Sequence, residues 1–188
     1  MRLPTIATRL WVERVVIGLS LCPWVRPVHD RAALRFTQTN SADTEGLFAC
    51  LLNEMDSLSS RSTHETVIVV APQAFPDDFV AFNDFVQDVE EWLREQRLDS
   101  TFQLVGFHPH FTFAGESYDD AGNFVNRSPA PAFHLLRQDD VTKAVDSSPT
   151  ALEVPQVNQK LLRELGTERL RTLVREVEEE ARAEDDRP

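Results

Sequence analysis

Cysteine is scarce in this chain: there are two, Cys22 and Cys50, among 188 residues. That excludes a disulfide scaffold and fits a reducing compartment, so the expected setting is the cytoplasm. Basic residues are also few. Nineteen Lys and Arg stand against 31 Asp and Glu, a formal net charge of −12. A surface of that sign repels phosphate backbones, which argues against a nucleic-acid partner. Long apolar runs are missing as well. No stretch approaches the ~18–20 apolar residues of a membrane span, so no membrane partner is expected. The segment from Val15 to Cys22 resembles a lipoprotein leader only briefly. It is short, it follows Arg9, Glu13 and Arg14, and Leu21 stands where cleavage requires a small residue. There is no Gly-rich phosphate loop, no Gly-x-Ser-x-Gly elbow and no His-Glu-x-x-His pair, so nucleotide, serine-hydrolase and zincin chemistry gain no support.

What is present suits one folded unit. The apolar share is 41%, enough for a sizeable core. Residues 1–178 are read as a single domain and 179–188 as an acidic, disordered tail. From Glu176 to Pro188 seven acids face two arginines, a net of −5, which leaves −7 on the body. Periodicity places a helix over 4–20, with Leu3, Ile6, Leu10 and Ile17 on one face. A strand follows at 33–38. Leu47, Leu51, Met55 and Leu58 mark a second helix, on whose stripe Cys50 reads as a packing residue. The β-branched run 66–71 reads as a strand buried on both faces. Phe82, Phe85, Val89 and Leu93 mark the surest helix, and 102–107 the third strand. Strands separated by helices imply crossover connections. Further on come a short strand at 133–136, helices at 139–146 and 155–165, and a last helix from about 170. The expected fold is α/β (or α+β), with a sheet of three to four strands, crossover helices packed on it and helical N- and C-termini.

The candidate chemistry lies in two places. Cys22 stands at the end of the first helix, where the dipole opposes a thiolate, so reactivity there needs basic neighbours supplied by the fold. The other place is the irregular stretch from His108 to about Ser128 and the segment after it. A long aperiodic stretch in a compact domain is usually functional when ordered. His108 and His110, two apart in extended chain, can face one metal ion, with Asp119, Asp120 or His134 completing the set. Asn123, Asn126, Arg127, His134 and Arg137 form an anion-binding set, because guanidinium matches carboxylate or phosphate. Against this stands the plain alternative that Arg127 and Arg137 pair with Asp119, Asp120 or Asp139 and tie the loop down. Glu65, before the central strand, is read as marking a strand edge rather than as a base.

Several segments together carry a resemblance. They are Trp11 with Gly18-Leu19-Ser20-Leu21-Cys22-Pro23, Glu65-Thr66, Phe82-Asn83-Asp84-Phe85, Gly106-Phe107-His108-Pro109, Phe113-Ala114-Gly115, Asp119-Asp120, Asn126-Arg127-Ser128-Pro129, Pro131, His134-Leu135-Leu136-Arg137 and Asn158 before Leu165-Gly166. In these the chain is similar, from about residue 8 to 166, to a bacterial domain family of unknown function. The family has no established activity, so the resemblance carries over no catalytic role, and the cofactor stays unknown. The resemblance places Cys22, His108, Asp120, Asn126, Arg127, His134 and Arg137 on motif positions and sets His110 off the pattern.

Four readings follow. The first is a small-molecule enzyme with Cys22 as nucleophile or redox thiol, His108 or His134 as base, Asp120 orienting a histidine, and Asn126, Arg127 and Arg137 holding an anionic substrate. The second is a binding protein for an anionic metabolite. The third is a metal-assisted hydrolase using His108, His134 and Asp120. The fourth is a partner-binding protein using the acidic tail.

Overall fold

The computed structural model describes residues 2–60, 66–146 and 151–187. Glu65 lies outside them. The first helix, α1 (Leu3–Trp11), starts with Pro4 in its first turn, where the missing N–H costs nothing. Where the sequence predicts one regular helix to residue 20, the chain widens into a π-helical turn over Val12–Ile17. Gly18 ends it. A Cβ at this position would collide with the Arg14 carbonyl, 2.9 Å from its carbon. Ser20 then takes a positive φ of 56° and the Leu21 N–H closes on the Val16 carbonyl at 2.9 Å. This tight reversal presents Cys22 just ahead of a short helix that the sequence did not suggest, α2 (Val25–Asp30).

The remaining elements are β1 (Leu34–Gln38), α3 (Thr44–Ser60), β2 (Thr66–Val70), α4 (Phe79–Glu95), β3 (Phe102–Phe107), a 3-10 turn (Ala121–Val125), β4 (Ala132–Arg137), α5 (Gln138–Asp146), a second 3-10 turn (Ala151–Glu153), α6 (Val154–Leu165) and α7 (Thr167–Asp185). The strand order is β1-β2-β4-β3. β1 and β2 run parallel, and β4 lies antiparallel between β2 and β3. The fold is thus α/β on a four-stranded mixed sheet. The crossover through α4 leaves a gap one strand wide, and β4 fills it. Ala132, Phe133 and Leu135 are fully buried, as a central strand requires.

Side chains alternate across the sheet and divide the core. Val67, Val69, Phe133, Leu135 and Leu104 point to α3 and α4. Ile68, Val70, Ala132 and Phe107 point to α1, α6 and α7. Leu47, Leu51, Leu58 and Phe82 complete the first cluster, and Trp11, Leu10, Leu162 and Leu170 the second. Burying a large apolar side chain is worth about 1.5–3 kcal/mol, so these two clusters carry most of the stability.

The acidic C-terminal stretch is helical to Asp185, where a disordered tail from 179 was expected. Two apolar positions hidden among the acids explain the difference. Val177 and Ala181 are buried against the α1 side of the core. Arg9 pairs with Glu184 at 2.7 Å and Arg14 with Glu180 at 2.6 Å, which runs α7 antiparallel to α1. Such pairs at the surface, the first part-buried and the second exposed, add only about 0.2–1 kcal/mol each, so the buried positions decide. Among the described residues no helix is long and apolar enough to cross a membrane.

Candidate functional site

On the α1 face the sheet is covered unevenly. α1 and the π-helical turn lie over one end. α2 and α5 flank the other, and between them is a cavity of about 620 Å³. Its floor is the outward parity of the strands: Gln103, Val105 and Phe107 from β3, His134 and Leu136 from β4, and Thr66 from β2. Its walls are Val16, Leu21, Cys22, Trp24, Val25 and Val28 on one side, Val141 and Ala144 on the other, with Val125 and Asn126 closing one end. Arg31, Arg137, Asp140 and Lys143 supply the charge. Four of the sequence candidates, distant along the chain, therefore share one cavity: Cys22, Asn126, His134 and Arg137.

Cys22 is half-buried. Asn158, buried on α6, donates from Nδ2 to the Leu21 carbonyl at 2.6 Å and fixes the backbone just before it. Burial raises the thiol pKa, and backbone hydrogen bonds from Trp24 and Val25 pull it down less strongly. The groups facing the sulfur are N–H donors of the following turn, not the carbonyls of the preceding helix. The net direction is still upward, so the sulfur stays a thiol at neutral pH.

His134 is also half-buried, with the Phe107 ring centroid 6.2 Å from its own. Its Nε2 lies 2.8 Å from the Thr66 hydroxyl. Burial alone lowers its pKa from 6.5 to about 4, so the ring is neutral. The Asn126 side-chain amide has no hydrogen-bond partner among the described residues, and it lines the cavity. Arg137 lines it too and is engaged elsewhere as well.

The structure does not bring His108 to this cavity. Its ring packs on Phe79 and Phe82 on the α4 side, fully buried. Nε2 donates to the Phe75 carbonyl at 2.8 Å, and Nδ1 accepts the His110 N–H at 3.0 Å. Both nitrogens are used, and burial, the largest cause, lowers the pKa. His108 is a packing histidine here, not a partner for Cys22. Asp120 does not orient a histidine either. It caps the 3-10 turn by accepting the Gly122 N–H at 2.7 Å and pairs with Arg163 at 3.1 Å. Arg127, nearly buried, donates from Nε to the Phe111 carbonyl at 2.9 Å and from Nη2 to the Tyr118 carbonyl. Asn123 joins the same loop, donating to the carbonyls of Ser117 and Tyr118. His110 turns to Tyr118, with Nδ1 at 2.8 Å from its hydroxyl. His108, His134 and Asp120 thus lie in three separate places, and the described residues contain no group of three or more His, Cys, Asp or Glu positioned to hold a metal.

A family model described as a protein of unknown function (DUF1415) matches residues 5–172. The chain belongs to this family. The match takes in α1 through the first turn of α7, and so both the cavity and the loop after β3. No curated protein and no solved structure matches the DUF1415 chain.

Sequence reasoning missed Trp24, Gln103, Arg31 and Lys143 as cavity residues. One signal was available. Gln103 stands two places before Val105 and four before Phe107, a polar residue on one parity of a strand whose other parity is apolar. α2 left no comparable signal, because Pro27 interrupts its short apolar pattern.

Proposed function

We propose that the protein binds a small organic molecule with an apolar body and an anionic end in the cavity over β3 and β4. The observation that carries this is the make-up of the walls. Val105, Phe107, Leu136, Val141 and Trp24 offer an apolar bed, and Asn126 offers an unused amide. Ligand cavities of this size are typically apolar with a few placed polar groups. Among the described lining residues three are cations, Arg31, Arg137 and Lys143, and one is an acid, Asp140, which lies 3.9 Å from Lys143, in a chain of net charge −12. A local positive rim in an acidic protein favours an anionic ligand end. In this reading Asn126 and Arg137 are ligand-binding residues, Cys22 and His134 line the ligand, and the protein works in the reducing cytoplasm.

A thiol-enzyme reading uses the same cavity, with Cys22 as nucleophile and His134 as base. It is supported by their shared location. The proton counts against it, because the thiol pKa is raised and the imidazole pKa is depressed, so the resting pair is uncharged. The binding reading therefore stands first.

Octanoate is a suitable probe, with an apolar body and one carboxylate. It is expected to raise the melting temperature saturably, by the mass-action stabilisation of any ligand of the folded state. Leu136→Trp, which fills the cavity, should abolish that rise. An equal rise in Leu136→Trp, or none in the wild type at millimolar octanoate, contradicts the reading.

A further inference from the structure

Arg127 carries a buried charge that makes no ion pair among the described residues, although Asp119 acts on it from a greater distance. The Arg127 surface is 5% exposed. Nε and Nη2 are committed to two backbone carbonyls, and the rings of Tyr118 and Phe124 lie 4.5 and 4.8 Å from the guanidinium carbon. Among the described residues no carboxylate lies within ion-pair distance. Buried arginines are normally paired, because an unanswered charge away from water is costly. The bonds to Phe111 and Tyr118 explain how the loop is stapled. They use one edge of the guanidinium, and Nη1 makes no hydrogen bond among the described residues.

Arg127 lines a second recess, of about 340 Å³, between the 109–129 segment and α7. It lies beyond the carboxyl end of β3, which runs in the direction of β1 and β2. Open α/β sheets commonly take ligands outside that end. From α7 come Arg171, Arg175, Glu168 and Glu178. Arg171 is already held by Glu168 and Asp119, each at 2.6 Å. Glu178 lies 3.7 Å from Arg182. Arg175 makes one side-chain bond, to the Thr172 hydroxyl at 3.1 Å. Two guanidinium groups that pair with no carboxylate among the described residues, one buried and one exposed, therefore line one recess.

We propose that this recess binds a phosphate group, with Arg127 Nη1 and Arg175 as its donors. Two guanidinium groups that make no ion pair among the described residues match a phosphate dianion, since Glu168 and Glu178 of the same recess are held by Arg171 and Arg182, and arginine suits phosphate oxygens. The site is separate from the sheet-face cavity and does not depend on its occupant. Free phosphate and the phosphate of a monoester share this chemistry.

The test is calorimetric titration of the full chain with inorganic phosphate and, in a second arm, phenyl phosphate. Saturable binding of phosphate is expected, and Arg175→Gln, an exposed change that gives up one side-chain bond to Thr172, should weaken it about tenfold, the effect of losing one charge-assisted hydrogen bond. Arg127→Lys should weaken it as well. Tighter binding of phenyl phosphate would identify a monoester as the ligand, and equal or weaker binding would identify free phosphate. Leu136→Trp should bind phosphate as the wild type does, which separates this site from the cavity above the sheet. No saturable binding, unchanged binding in Arg175→Gln, or acetate binding as tightly as phosphate would overturn the proposal.

Discussion

Thr66 and His134 are joined across β2 and β4 in a fixed sense. The Thr66 hydroxyl donates to the Leu135 carbonyl at 2.6 Å, so its only hydrogen is committed. His134 Nε2, 2.8 Å from the same oxygen, must then be the donor. The ring is therefore the Nε2–H tautomer, and Nδ1 is its remaining acceptor. Few side chains of this floor are so tightly defined, and the definition comes from the strand insertion that places β4 beside β2.

Thr66→Val removes both bonds at nearly constant volume. It leaves the His134 N–H without an acceptor in a desolvated place, at a cost of about 1–3 kcal/mol. Urea unfolding should show that loss, and Thr66→Ser should recover most of it.

Acid should destabilise the protein through the same ring. Between about pH 6.5 and 4 the unfolded chain holds a proton on His134 that the folded chain does not. Stability therefore falls as the pH falls through that window, by up to about 3 kcal/mol for this ring. His108, also lowered by burial, acts in the same sense. Melting curves across the window should flatten in His134→Gln relative to wild type, while a parallel slope would contradict the assignment.

Gly18 is predicted to resist even alanine. The added methyl meets the Arg14 carbonyl, and relieving the contact means rewinding the π-helical turn. A loss of about 2–4 kcal/mol is expected, in the range of overpacked sites. Because that turn sets the place of Cys22, octanoate binding should weaken in parallel.

Much of the fold was legible because the apolar pattern declares it. The run from Thr66 to Val70 is a buried strand, and the stripe of Phe82, Phe85, Val89 and Leu93 is a packed helix, as their residues say. The strand order was not legible. β4 enters the sheet from far along the chain, and nothing in Ala132–Arg137 says that it separates β2 from β3. The same long-range step decides the site. Cys22, Asn126, His134 and Arg137 could each be picked out, but their meeting depends on which face of β4 looks toward α2. His108 and Arg127 illustrate the converse. Their residue types suggested chemistry, while their bonds to the carbonyls of Phe75, Phe111 and Tyr118 depend on loop paths that no local pattern encodes. The helical tail was hidden by charge, since two buried positions among many acids leave a weak periodic signal.

The most direct measurement is the alkylation rate of Cys22 in Cys50→Ala protein, followed against pH and against octanoate. Burial of the thiol predicts slow reaction at neutral pH, with the rate rising only above the ordinary thiol value of 9.0. Octanoate should slow it further and saturably, because Cys22 is part of the wall that the ligand covers. A rate indifferent to octanoate would mean that the cavity over β3 and β4 does not take such a ligand. Fast reaction below neutral pH would mean a stabilised thiolate and would put the thiol-enzyme reading first.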